Sequence, residues 1–280
     1  MPYLIFVSIL WGFSFVLIKG TLVSLDPSFV SLARLLVSFL VFLPLVRVTG
    51  IRLPEKLQLL GIGGIQFGFM YVAYVAAYQY LPAHVIALMT TTTPIFVTIF
   101  NDLHAKRIHK NFFIAALLAV AGGAVIELPN QSLRSSLHGI LLIQLSNAAF
   151  AFGQLAYKKW MDARPAIRDT RIFGLLYAGA VLVAGAFSLI NTDYHRLILQ
   201  RNQVLALLYL GVIASGVCFF LWNLGARKVN EGLLAVMNNL KIPIGVVASL
   251  LILGESTDYA RLIIGCALFA VALSLNKLHP

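Results

Sequence analysis

The sequence predicts an all-α integral membrane protein: ten transmembrane helices forming two inverted five-helix repeats around a central cavity. Three observations carry this expectation. Hydrophobic residues make up 60% of the 280-residue chain and charged residues only 11%, with a mean hydropathy of +0.90, against roughly 25% charged residues in soluble domains. Ten apolar runs can be drawn, close to the ~20 residues that a bilayer requires. Lys and Arg concentrate in alternate loops, the bias that orients membrane proteins.

The spans fall at about 3–22, 28–46, 57–80, 84–101 and 111–128 in a first repeat, 1–128, and at about 138–158, 172–190, 203–224, 230–252 and 260–277 in a second, 129–280. Met1-Pro2-Tyr3-Leu4 lacks the basic start of a signal peptide and the apolar run continues to Val23, so the first span reads as a retained helix. Asp26-Pro27-Ser28 starts the second, with Asp or Ser as cap. Leu81-Pro82-Ala83 turns the third into the fourth, and Leu128-Pro129-Asn130-Gln131 ends the fifth. Gly254-Glu255-Ser256-Thr257-Asp258 separates the last two. Gly64 and Gly68, and Ala115, Ala119 and Gly123, have the small-residue spacing that lets helices approach closely. Internal packing accounts for these faces, and a monomer is preferred to a dimer.

With the N-terminus inside, the inner loops and helix ends hold fourteen Lys and Arg residues and the outer side four, Arg134, Arg196, Arg201 and Arg261. Lys19, Arg34 and Lys241 lie within spans and complete the 21. Both termini are therefore expected in the cytoplasm of a cell whose inner, or plasma, membrane holds the chain. The net charge of +11 is explained by this bias, and no nucleic-acid partner is expected. Five spans is an odd number, so a second repeat enters the membrane upside down. Trp11-Gly12-Phe13-Ser14-Phe15 with Lys19 is weakly echoed by Phe150-Ala151-Phe152-Gly153-Gln154 with Lys158.

The functional expectation rests on the fourth and ninth spans. Thr90-Thr91-Thr92-Thr93-Pro94 and Asn238-Asn239-Leu240-Lys241-Ile242-Pro243 each place polar residues before a proline, at matching places of the two halves. Such interrupted segments point to the solute site of a carrier. Lys241 is the sharpest candidate: a lysine at mid-depth costs roughly 2.5–3.5 kcal/mol to insert and usually faces a cavity. Its ammonium suits a carboxylate, and no Asp or Glu lies at mid-depth to neutralise it. Asn238, Asn239, Thr90 and Thr92 could add hydrogen bonds, although threonines also bond back to their own helix. Tyr71, Tyr74 and Tyr78 share one helical face, of which Tyr74 is the pocket candidate. Trp11, Ser14, Gln154 and Trp222 complete the expected substrate set, and Asn147 and Asn223 are of the same kind. Pro94 and Pro243 are expected as hinges. Arg34 lies near the outer end of its span and reads as a snorkelling side chain.

These positions resemble the ten-helix, EamA-like branch of the drug/metabolite transporter superfamily. The matching features are Trp11-Gly12 with Lys19, Arg34, Pro94, Pro243 and Leu253-Gly254-Glu255, in order along essentially the whole chain. The resemblance implies inverted repeats around a cavity and carriage of metabolites, often amino acids, commonly outward. Two features depart from the pattern: Lys106 stands where the repeat aligns Glu255, and Lys241 lies inside the ninth span.

The expected function is secondary transport, as an exporter, of small amino-acid-like or organic-acid metabolites by alternating access. An exchanger for phosphorylated or sugar-linked metabolites is the alternative. An intramembrane enzyme is disfavoured, since HExxH, GxSxG and paired intramembrane aspartates are missing from the sequence. No cofactor or metal is expected, because Cys218 and Cys266 form no CxxC and His104 and His109 have no Cys beside them. The expected partners are a small-molecule substrate and the lipid bilayer.

Overall fold

Apolar runs this long have one way to satisfy their backbone in lipid, the helix. Every element described in the computed structural model is helical. The structure describes residues 1–22, 24–81, 83–127, 136–244, 247 and 258–277, without the side chains of 13–20, 83, 84, 87, 276 and 277. The side chains of Ser14 and Lys19, the turn at Pro82, the end of the fifth span at 128–131 and the 254–257 segment therefore lie outside the described residues.

The helices are α1 (Pro2–Thr21), α2 (Pro27–Phe42), α3 (Leu53–Ala77), α4 (Ala83–Thr90), α5 (Thr93–Ala105), α6 (Lys110–Glu127), α7 (Leu137–Asp162), α8 (Asp169–Asn191), α9 (Arg201–Ala226), α10 (Glu231–Met237) and α11 (Tyr259–Lys277). Pro27–Leu45, Leu53–Ala77, Leu137–Asp162, Asp169–Asn191 and Arg201–Ala226 are long and apolar enough to cross a membrane. Pro2–Gly12, Lys110–Ile126 and Tyr259–Leu275 are shorter apolar helices. The fourth span is divided into α4 and α5. The ninth is divided into α10, a turn at 238–240 and a helical piece at 241–244.

Local chemistry sets the ends. The Asp26 carboxylate accepts from the Phe29 N–H at 2.9 Å, with Pro27 opening α2. Asn230 caps α10 by accepting from the Leu233 N–H at 2.7 Å. Lys106 ends α5 in the left-handed region, at φ 50°, a conformation costly for residues other than glycine.

Both α3 and α9 contain a π-helical centre, at Gly64–Phe69 and Leu210–Val217. Their glycines explain the close neighbours. A Cβ on Gly68 would sit 2.8 Å from the Ala180 carbonyl oxygen of α8, and one on Gly211 2.6 Å from Val37 Cβ of α2. The Gly64–Gly68 spacing is thus spent on packing α3 against α8. Reciprocally, α9 packs on α2. Ala115 and Ala119 of α6 are buried with Phe269 and Ala272 of α11. A Cβ on Gly123 would meet Thr91 Cγ2 at 2.7 Å.

One end of the bundle is tied by charges on different elements. Lys158 of α7 donates to the Val229 carbonyl at 2.6 Å and pairs with Glu231 at 3.0 Å. Arg227 pairs with Asp169 at 2.6 Å and Asp162 at 3.4 Å, and Arg164 with Glu55 at 3.1 Å.

Candidate functional site

A proline cannot donate to its own helix, so each interrupted span must find other partners for its backbone. In the fourth span the threonines supply them. Thr91 Oγ1 donates to the Leu88 carbonyl at 2.7 Å, and Thr93 Oγ1 to the Thr90 carbonyl at 2.8 Å. The two interruptions also meet directly: Asn239 Nδ2 donates to the Thr91 carbonyl at 2.7 Å and reaches the Ala119 carbonyl of α6 at 3.2 Å. Pro94 and Pro243 are both buried beside this junction.

A cavity opens next to it, with about 110 Å³ reachable by the centre of a water-sized sphere. At roughly 10–15 Å³ per water by that measure, it has room for a small organic solute. Its wall includes five aromatic side chains: Trp11 from α1, Tyr71 and Tyr74 from α3, Phe150 from α7 and Phe219 from α9. Trp11 is held by its indole N–H, which donates to the Ala214 carbonyl at 2.9 Å. It also lies edge-on to Phe219 at 5.3 Å between centroids. That carbonyl belongs to the π segment of α9, whose distorted ladder also receives Ser38 Oγ at the Gly211 carbonyl, 2.7 Å away. Sequence periodicity carries no signal for such a π segment, which is why these positions were not foreseen.

Among the described residues two cations face this wall, Lys241 and Arg34. The Lys241 ammonium lies 5.8 Å from the centre of the Trp11 ring, a cation–π geometry. Among the described residues it has no hydrogen-bond or carboxylate partner. Arg34 is 3% exposed. Its Nε donates to Ser215 Oγ at 3.2 Å and its Nη2 to Tyr71 Oη at 2.7 Å. No carboxylate pairs with it among the described residues.

Of the expected substrate residues, Lys241, Trp11, Tyr74 and Thr90 line the cavity. The Ser14 side chain lies outside the described residues. Thr92, Asn238, Asn239, Gln154 and Trp222 are placed elsewhere, each for a visible reason. Thr92 Oγ1 lies 2.9 Å from the Met89 carbonyl and 2.7 Å from Gln144 Oε1, tying the break to α7. Asn238 bonds back to the Leu234 carbonyl at 2.8 Å. Asn239 joins the two interruptions. Gln154 Oε1 accepts from the Trp222 indole at 2.7 Å in a fully buried pair.

Arg34 does not snorkel to the surface but is buried at the cavity wall. Its position along the span put it near an end, but a neighbouring π segment and Tyr71 enclose it. The signal that could have found it is the one that found Lys241: a cation in an apolar run with no acid at its level. Ser146 and Asn147 also reach the wall, Ser146 while donating to the Met70 carbonyl at 3.0 Å.

Comparison with known proteins gives four findings. The model of the EamA-like transporter family matches residues 1–128 and 137–276. A protein of Pseudomonas aeruginosa named "Probable biotin transporter" is 38% identical over 280 residues, covering 99% of this chain and 98% of the relative. The "Biotin transporter" of Escherichia coli strain K12 is 34% identical over 279 residues, covering 99% and 93%. A solved crystal structure aligns with a TM-score of 0.80 at 18% identity, over 100% of this chain and 98% of that one, which speaks for the fold alone.

Proposed function

Because this chain belongs to the EamA-like transporter family, we propose that it is a secondary carrier of biotin, or of a closely similar carboxylate, working by alternating access around the cavity beside Lys241. The observation that carries the reading is the Lys241 ammonium, which faces the cavity with no hydrogen-bond or carboxylate partner among the described residues. A solute carboxylate supplies the missing charge. Trp11, Phe150 and Phe219 give the thioether ring and alkyl chain of biotin a surface to lie on. The names of the relatives move the substrate from the amino acids that the resemblance implied to a vitamin acid. The cavity favours the same choice, since no described wall residue is a carboxylate that could hold an α-ammonium group.

The transport cycle we infer uses ten spans as inverted repeats over 1–128 and 129–280, with both termini cytoplasmic. Its supports are the charge tally of the loops, the paired interruptions of the fourth and ninth spans, the paired π segments of α3 and α9, and the reciprocal packing of α3 on α8 and α9 on α2. Pro94 and Pro243 then serve as the points where each half bends. Export and uptake use the same cavity, and the gradient sets the direction.

Counterflow tests this reading without regard to direction. Purified protein in vesicles preloaded with unlabelled biotin should accumulate external labelled biotin above protein-free vesicles. Unlabelled biotin should compete, and biotin methyl ester should compete at least about tenfold less well, equivalent to ~1.4 kcal/mol. Absence of accumulation, with the protein correctly folded in the vesicles, would refute the assignment.

A further inference from the structure

The charge on Arg34 is not used up by its neighbours. Its Nε and Nη2 meet Ser215 Oγ and Tyr71 Oη at 3.2 and 2.7 Å, and those two hydroxyls lie 3.1 Å from each other. This pair occupies one side of the guanidinium fork, in the manner of two carboxylate oxygens, but with neutral groups. The guanidinium carbon also lies 4.6 Å from the centre of the Tyr71 ring. Nη1 has no partner among the described residues, although the side chain is 3% exposed and lines the cavity. A guanidinium donor left open at a cavity wall is available to an acceptor on a ligand.

The two cations differ in kind. Lys241 offers a compact charge with all three donors unspent, the form that suits a carboxylate. Arg34 is a planar fork with one side already engaged, held in place by Tyr71 and Ser215. Its remaining edge presents donors toward one further acceptor oxygen. Resting on the biotin-carrier reading above, we propose that Arg34, positioned by Tyr71 and Ser215, is the second recognition point of the site and takes the ureido carbonyl of the substrate while Lys241 takes its carboxylate. The cavity then selects acids that carry a neutral carbonyl acceptor at the far end. Simple fatty acids of similar length satisfy only one of the two cations.

The test is a matrix of competitors against labelled biotin in the counterflow assay. Biotin methyl ester lacks the carboxylate charge. 2-Iminobiotin replaces the ureido oxygen with an imino nitrogen. The parent should favour biotin over each by about tenfold or more. Arg34→Gln should lower the biotin-to-iminobiotin preference to under about threefold and keep the acid-to-ester preference. Lys241→Met should do the reverse. Arg34 is buried, so Tyr71→Phe and Ser215→Ala provide variants that leave the guanidinium and release its orientation. They should reduce the iminobiotin preference partway, and they decide the matter if Arg34→Gln does not fold. Folded Arg34 or Tyr71 variants that keep the full iminobiotin preference overturn this assignment, as does loss of the acid-to-ester preference on changing Arg34. A parent that exchanges no biotin overturns the carrier reading itself, which separates the two failures.

Discussion

The cations of the cavity and the cations at the Lys158 end of the bundle have opposite surroundings. Lys158, Arg164 and Arg227 each meet a carboxylate of another element at 3.0, 3.1 and 2.6 Å. Lys241 and Arg34 meet none among the described residues. A paired charge holds two elements together, and its work is finished in the folded protein. An unpaired charge in apolar surroundings is a standing cost, and a solute that brings the opposite charge relieves it. On the proposed reading, the difference separates the groups that shape this protein from those that bind for it.

Reversing the cavity charge should break the comparison most severely. Lys241→Glu puts a carboxylate where the substrate carboxylate is proposed to sit. Biotin counterflow should fall to the level of protein-free vesicles, while the variant keeps the parent's helical circular-dichroism spectrum. Retained counterflow would mean that the charge at this position is irrelevant.

The paired end should respond in the other currency. Glu231→Gln leaves Lys158, 8% exposed, with neutral acceptors in place of the carboxylate, the Val229 carbonyl and the new amide oxygen. A half-buried ion pair lies between the surface and interior cases, so the loss should be about 1–3 kcal/mol of stability. It should appear as a lower midpoint of thermal unfolding, with the half-saturating biotin concentration unchanged. The smallest effect belongs to Arg52→Ala. Its guanidinium is 80% exposed and pairs within the same helical turn with Glu55. Neither melting nor biotin affinity should move. A large affinity change at Glu231, with Lys241→Glu silent, would invert the account.

Much of the architecture could be read from the sequence because its causes are local. The Asp26-Pro27 start of α2, the small-residue face of α3 and the proline interruptions follow from the chemistry of a few adjacent residues. The place of Lys241 at the cavity wall was legible because one charge in a long apolar run has few explanations. The remaining site residues depend on facts that a sequence does not carry. Thr92 and Thr90 are two residues apart, yet one ties α7 and the other faces the cavity, because successive residues rotate about the axis. Asn239 reads as a ligand group until a second chain segment, at Thr91, comes within 2.7 Å. Arg34 reads as a surface residue until the π segment of α9 brings Ser215 beside it. The Trp222 indole N–H donates to Gln154 Oε1 at 2.7 Å across 68 residues, a pairing that no spacing announces.

Isothermal titration of the purified protein with biotin and with biotin methyl ester, in the parent and in Lys241→Met, tests the central claim most directly. Lys241→Met keeps most of the side-chain length and removes the charge. The account predicts that the parent binds the acid at least about tenfold more tightly than the ester. It predicts that the variant, equally folded, binds both with the parent's weak affinity for the ester. Equal affinities of parent and variant for biotin would contradict the claim and make Lys241 a structural lysine.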